Sequence, residues 1–377
     1  MKNALLFDGP DADAPFAAGN PAALDSAVRV RIADDMAMLR AAAELTRDIS
    51  AARPAIYWAD FLGSVAIGYG ALFAAIMLAP VGWAIVGWAI VTGLVAVLAL
   101  YRAGSFIHEI THMKHSTVPG FRIIWNLLVG IPLLVPSFLY EGVHTLHHAR
   151  TRYGTIDDPE YLPLALMKPY TLPLFVLVSV LAPIALLFRF AVLTPLGMVF
   201  PKLRTEIVAR FSGLQINPEF RRRTPEGEAR TLWYWFEAGA SIWAITLLTL
   251  VATRTVPLRG FLIFLAVASG VAVLNQVRTL VAHLWENDGE AMTVTAQYLD
   301  SVNVPPPTLL PALWAPVGLR YHALHHLLPS LPYHALGEAH RRITAAVSVD
   351  SPYHKASYPG LPVLVRSLID STMRRGA

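Results

Sequence analysis

The sequence predicts an all-α, polytopic membrane protein with about four transmembrane helices, re-entrant or interfacial helices, and a cytoplasmic helical cap. Of its 377 residues 55% are hydrophobic and only 15% charged, with mean hydropathy +0.49. A soluble domain carries about a quarter charged residues. The apolar residues gather into blocks of about 20, the length that crosses a hydrocarbon core of about 30 Å as a helix. Histidines cluster at the ends of these blocks and in the charged linkers between them, so the cap is expected to carry them.

Residues 1–25, rich in Pro, Asp, Gly and Ala, read as a loose tail. Residues 26–52 alternate charged and apolar positions at helical spacing, which fits an amphipathic helix on the membrane surface or one facing solvent. The first apolar block runs from Ala55 to Ala79, breaks at Pro80 and resumes from Val81 to Tyr101. After Asp60 it holds no charge until Arg102, and it reads as a helical hairpin with a short outer turn. Four apolar stretches follow at 121–140, 171–200, 232–252 and 260–284, of which the last two are clean spans. The stretch at 121–140 carries Gly130, Pro132 and Pro136; that at 171–200 carries Pro173, Pro183, Arg189 and Pro195. Helix breakers at this density fit re-entrant or interfacial segments.

The linkers at 141–170, 201–231 and 285–377 hold most of the Lys and Arg, which places them in the cytoplasm, with Arg254 and Arg259 a mild exception. The N-terminal apolar run is too short for a signal peptide, so the chain is expected to begin in the cytoplasm. The expected division is a cytoplasmic tail and amphipathic helix over 1–54, a membrane domain over 55–345, and a C-terminal cytoplasmic tail over 346–377.

There is no cysteine. This excludes disulfides, iron–sulfur ligation and thiolate zinc sites, so a bound metal must be held by His, Asp or Glu. The net charge of +4 is modest, and no basic stripe with interleaved aromatics appears. The basic residues suit anchoring to membrane lipids rather than nucleic acid. Of the 13 histidines, eight sit in three windows: His108 and His112; His144, His147 and His148; and His322, His325 and His326. Spacings of i, i+3 and i+4 bring side chains together on a helix. Neutral imidazole suits iron, zinc, copper and nickel. Eight ligands exceed the needs of one ion, whereas two ions with about four each leave positions open for oxygen. The Glu and Glu-x-x-His pattern of carboxylate-bridged di-iron bundles is not found.

The order H-x3-H, H-x2-H-H, H-x2-H-H resembles the three histidine boxes of the membrane fatty-acid desaturase and hydroxylase superfamily. The first box follows a hydrophobic hairpin, and two spans separate the second from the third, as in that superfamily. The stretches Tyr153 to Glu160 and Tyr321 to Pro329 are also similar to its segments, and the resemblance covers about residues 55–345. It implies a non-haem di-iron centre on the cytoplasmic face, with two iron ions and O2 as co-substrate. It also implies a lipid or acyl-chain substrate, and electrons from a separate carrier of ferredoxin, rubredoxin or cytochrome type. His283 is similar to an extra histidine that completes the metal shell, making nine ligands with the eight box histidines. The implied reaction is oxidation of a long acyl chain, desaturation first. The alternative is a hydroxylase or ketolase of a lipid, sphingolipid, carotenoid or alkane.

If all boxes serve one cluster they share a side of the membrane, so an even number of spans separates each pair. The stretch at 121–140 should then dip in and return, and that at 171–200 should fail to cross. Asp157, Asp158 and Glu141 are candidates to orient ligand imidazoles or to form turns. His115 is expected to hydrogen-bond near His112, and His334, His340 and His354 to be structural or at the surface. Arg221, Arg222 and Arg223 offer a docking patch for the electron carrier or a basic patch toward solvent or lipid. One rival reading takes His108-Glu109-x-x-His112 as a zinc-peptidase motif, with Glu109 as base and Asp288 as third ligand. It leaves six box histidines unexplained. A metal transporter is the other rival, but its sites lie near the bilayer midplane, unlike these boxes.

Overall fold

The structure, a computed structural model, describes residues 32–78 and 84–374. The expected tail over 1–25, the start of the amphipathic segment and the turn at Pro80 lie outside them. The described residues are helical, with isolated β-bridges in place of strands. Helix α1 (Met36–Leu45) starts at Asp35, whose carboxylate accepts from the backbone N–H groups of Ala37 and Met38 at 3.0 Å. Its stripe of Met38 and Ala42 is fully buried against the helical cap, so this face meets protein rather than lipid or solvent.

Helices α2 (Pro54–Met77) and α3 (Ala84–His112) form the expected hairpin. A Cβ at Gly68 would stand 2.7 Å from the Leu100 side chain, so glycine permits their close approach. Rings from both helices meet Phe121 edge to face, among them Phe61–Phe121 at 5.1 Å and Phe106–Phe121 at 5.5 Å. Each such pair contributes about 0.5–1.5 kcal/mol beyond the area it buries. At 29 residues, α3 is about 43 Å long. That exceeds a hydrocarbon core of about 30 Å, and its last turns, with His108 and His112, stand clear. The short apolar helix α4 (Phe121–Gly130) follows, and after a turn the chain forms α5 (Val143–His147).

Five helices are long and apolar enough to cross a membrane, one more than expected: α2, α3, α6 (Thr171–Val199), α8 (Gly227–Ala252) and α9 (Leu258–Leu280), with α7 (Pro201–Phe211) between the third and fourth. Helix α6 is irregular, with a 3₁₀ turn at Val178–Leu181 and a π turn at Arg189–Leu193, just ahead of Pro183 and Pro195. Prolines remove backbone donors, and such turns accommodate the loss. Ser269 of α9 donates to the Val180 carbonyl at 2.8 Å, at a depth of about 16 Å from the Leu280 end. Ser241 of α8 donates to the Phe190 carbonyl at 2.8 Å, still short of the far end. Arg189 already reaches back to Ser212 at 3.0 Å, in the linker that bonds Leu139 beside α5. These contacts pack the segment first against α9 and then against α8.

Its C-terminal half is fixed by a buried ion cluster. Glu237 of α8 accepts from Arg189 at 2.5 Å, from Arg204 of α7 through two bonds of 2.7 Å, and from the Trp233 indole at 3.0 Å. The cap consists of α10 (Val294–Asp300), α11 (His322–Leu327) and α12 (Leu336–Ala346), packed around Tyr298, Leu324, Ala339 and Ile343. The segment expected as a C-terminal tail is folded: α13 (Leu361–Arg374) buries Leu364 and Leu368 against Val281, Leu164 and Trp285.

Candidate metal centre

The nine predicted histidines converge in two groups. One ring nitrogen each from His108, His112, His144, His148 and His325 lie within 4.8 Å of one another, and so do those of His147, His283, His322 and His326. Helix α3 supplies two residues of the first group. Helices α5 and α11 each contribute to both groups, and His283 follows the end of α9. A pair of backbone bonds, Leu284 N–H to Asp300 and Val302 N–H to Ala282, pins His283 beside the cap.

The outward nitrogens of several rings are tied down. His147 Nδ1 donates to both oxygens of the fully buried Asp158, at 2.9 and 3.0 Å. His144 Nδ1 donates to Glu160 at 2.7 Å. His283 Nδ1 donates to the Tyr153 hydroxyl at 2.8 Å, which donates in turn to Asp300 at 2.8 Å. Such bonds fix the tautomer and leave the Nε2 lone pair facing inward. His322 differs, because Arg278 donates to its Nδ1 at 3.1 Å. Asp158 also accepts from the backbone of Gly154 and Glu160, both at 2.8 Å. Gly154 takes φ +69°, and a Cβ there would meet the Asn287 amide at 2.7 Å.

Burial, reinforced by neighbouring imidazoles, holds His144, His148, His325 and His326 well below the ordinary histidine range. His283 and His322 are held down by burial too, with Arg278 adding to it. These rings are neutral at neutral pH, the form that binds metal. Burial also lowers His147, but Asp158, Glu160 and Asp300 outweigh it and leave the ring above its ordinary value. Burial pushes Asp300 up to about 7 and Glu160 up to about 8.

The donor set fits metal ions. Both ring nitrogens of His108 and Nδ1 of His325 are buried without a hydrogen-bond partner, a loss of about 1–3 kcal/mol per group in protein interiors. Facing Nε2 atoms approach to 3.1 Å between His325 and both His112 and His148. Inward lone pairs at this spacing repel unless a proton or a cation lies between them.

The sequence profile for "Fatty acid desaturase" matches residues 82–359. The chain belongs to the fatty acid desaturase family. It is also 46% identical over 331 residues to "Ceramide hydroxylase" of Caulobacter vibrioides (strain NA1000 / CB15N), an alignment covering 88% of this chain and 93% of that protein. The protein is therefore a multi-pass membrane oxidoreductase of the desaturase family. Among the activities the sequence allowed, this relative favours hydroxylation over the desaturation placed first.

The family assignment agrees with the fate of the zinc-peptidase reading. Glu109 does not face the histidines as a free base: it accepts from Tyr57 at 2.5 Å and from the Tyr333 backbone at 3.1 Å, joining α2, α3 and the segment after α11. Asp288 is exposed. Of the three carboxylates proposed to orient ligands, Asp158 does so. Asp157 is exposed, and Glu141 pairs with Arg122 instead. His115 lies outside both groups, 3.7 Å from Glu228. Sequence reasoning missed Glu160, Tyr153, Asp300 and Arg278 as partners of the rings. Glu160 was within reach, two residues beyond Asp158; Asp300 carries no spacing signal, since only the fold brings it to His283.

Proposed function

We propose that the protein hydroxylates the hydrocarbon chain of a ceramide-type lipid at a centre of two iron ions, using O2 and electrons from a separate carrier. The observation that carries this reading is the pairing of two imidazole groups whose outer nitrogens are held by Asp158, Glu160 and the Tyr153–Asp300 pair. His108, His112, His144, His148 and His325 would hold one iron, and His147, His283, His322 and His326 the other. Iron so held supplies activation of O2 and removal of hydrogen from an unactivated carbon. The chain's own part is to keep the imidazoles neutral and oriented, to exclude water by burial, and to fix the lipid against the centre.

The identity of the relative supports ceramide as substrate and hydroxylation as outcome. The excess of Lys and Arg on the side of the boxes supports a cytoplasmic centre, within reach of a soluble ferredoxin, rubredoxin or cytochrome. Expression in a host of known lipid profile, followed by mass spectrometry, tests the reading. Ceramides that gain one oxygen are expected. Loss of two hydrogens without oxygen gain would show desaturation instead, and an unchanged lipid profile with iron-loaded protein would refute both. His108→Ala is expected to abolish the product and lower iron content.

A further inference from the structure

A cavity of about 980 Å³ opens beside the histidine centre. Thr145 and Leu146 line it from α5, on the face opposite His144, His147 and His148, and Thr111 lines it from the last turn of α3. Its apolar wall is made by Phe138, Leu232, Trp233 and Phe236. Phe236 lies about 14 Å inside α8 from the Gly227 end. The cavity is therefore polar at its mouth and apolar below, the shape of an amphiphile site.

The charges at the mouth discriminate among amphiphiles. Five guanidiniums, those of Arg122, Arg152 and Arg221 to Arg223, share it with four carboxylates, those of Glu141, Asp157, Glu219 and Glu228. Arg122 is paired with Glu141. Arg222 is committed to the backbone of Ser212 and Glu141 and lies over the Trp233 ring at 4.4 Å. Arg221 stands 4.0 Å from Glu219, and His115, also in the lining, 3.7 Å from Glu228, so what remains is a nearly balanced set of donors and acceptors. Such a lining matches a headgroup that donates and accepts hydrogen bonds without net charge. A multiply charged thioester carrier or phosphate would meet carboxylates as often as guanidiniums, and like-charge contacts of that kind reject a partner.

We propose that this cavity seats the uncharged amide-and-hydroxyl headgroup of the substrate lipid, with Arg223 and Glu228 as donor and acceptor. The inference rests on the reading of the protein as a lipid hydroxylase, and it excludes substrates carried on coenzyme A. The test uses the full, iron-loaded chain in lipid nanodiscs and a short-chain ceramide bearing a diazirine beside its amide, with adducts mapped by peptide mass spectrometry. Labelling within 138–146 or 229–236 is expected, suppressed by unlabelled ceramide and not by an equal concentration of acyl-coenzyme A. Ala229→Trp, which fills the mouth from an exposed position, should cut labelling by about tenfold with iron content unchanged. Glu228→Arg serves as a second, exposed variant that tips the mouth positive, so acyl-coenzyme A should begin to compete. Adducts confined to other segments, competition by acyl-coenzyme A in the unaltered protein, or labelling unaffected by both variants overturns the proposal. Labelling needs no turnover, so a failure of hydroxylation in cells overturns the functional reading separately.

Discussion

Asp158→Asn isolates the bond that fixes His147. The carboxylate is fully buried and accepts four contacts: two from His147 Nδ1, at 2.9 and 3.0 Å, and one each from the Gly154 and Glu160 backbones at 2.8 Å. An asparagine of the same shape keeps one acceptor oxygen and gains two N–H donors, so at least one of three facing donors loses its partner. The imidazole can escape the clash only by accepting at Nδ1, which puts a proton on Nε2, toward His283, His322 and His326. Loss of such an orienting carboxylate costs about 10–100-fold in metal affinity, or about 1.4–2.7 kcal/mol. Iron per protein by elemental analysis, followed through a chelator titration, is the assay. One ion should become chelator-labile by that factor while the other weakens less. Wild-type retention of both ions, or equal weakening of both, would refute the assignment of His147 to the second group.

Two other perturbations test separate parts of the structure. Glu237→Ala leaves Arg189 buried without its partner, a loss of about 3–5 kcal/mol, so thermal unfolding should shift well below wild type, and a shift within error would remove the ion cluster as the anchor of α6. For the metal-free protein, six histidines outside the spans have folded values well below the ordinary one of about 6.5. Between that pH and the depressed values the unfolded chain takes up protons that the native centre refuses, so stability is full above about 6.5 and is lost as pH falls below it. Asp300 and Glu160, raised to about 7 and about 8, act in the opposite sense, as does His147, but three groups stand against six. A melting profile that rises on acidification from about pH 6.5 would contradict this balance.

The spans and the ligands were legible in the sequence for different reasons. Apolar blocks such as Val81 to Tyr101 announce themselves by length, because a helix in lipid satisfies its own backbone. The irregularity of α6 was legible through its prolines and Arg189, while its length and apolar character place it among the five helices able to cross. The partners of the rings were mostly illegible. Tyr153 and Asp300 meet at His283 because the turn after α5 and the end of α10 are brought together across the cap, a contact with no local spacing to reveal it. The docking of α1 onto the cap was hidden for the same reason. An amphipathic stripe specifies that something covers it, not whether the cover is lipid or protein.

The histidine spacing itself carries a finer message than clustering. On a helix, positions i and i+4 lie about 40° apart and i+3 about 60° to the other side. In α5, His144 and the flanking His148 join the first group while His147 turns to the second. In α11 the roles reverse: His322 and His326 join the second group, and His325 crosses to the first. Each H-x-x-H-H window therefore serves both groups, and two short helices facing one another exchange one ligand each. No single window makes a complete site: the first group needs the end of α3 docked with α5 and α11, and the second needs the segment after α9 docked with the same two helices. Metal binding should accordingly stabilise the docking of the whole cap rather than any one helix. A single ligand such as His325 then belongs energetically to the group it joins, not to the window in which it is written.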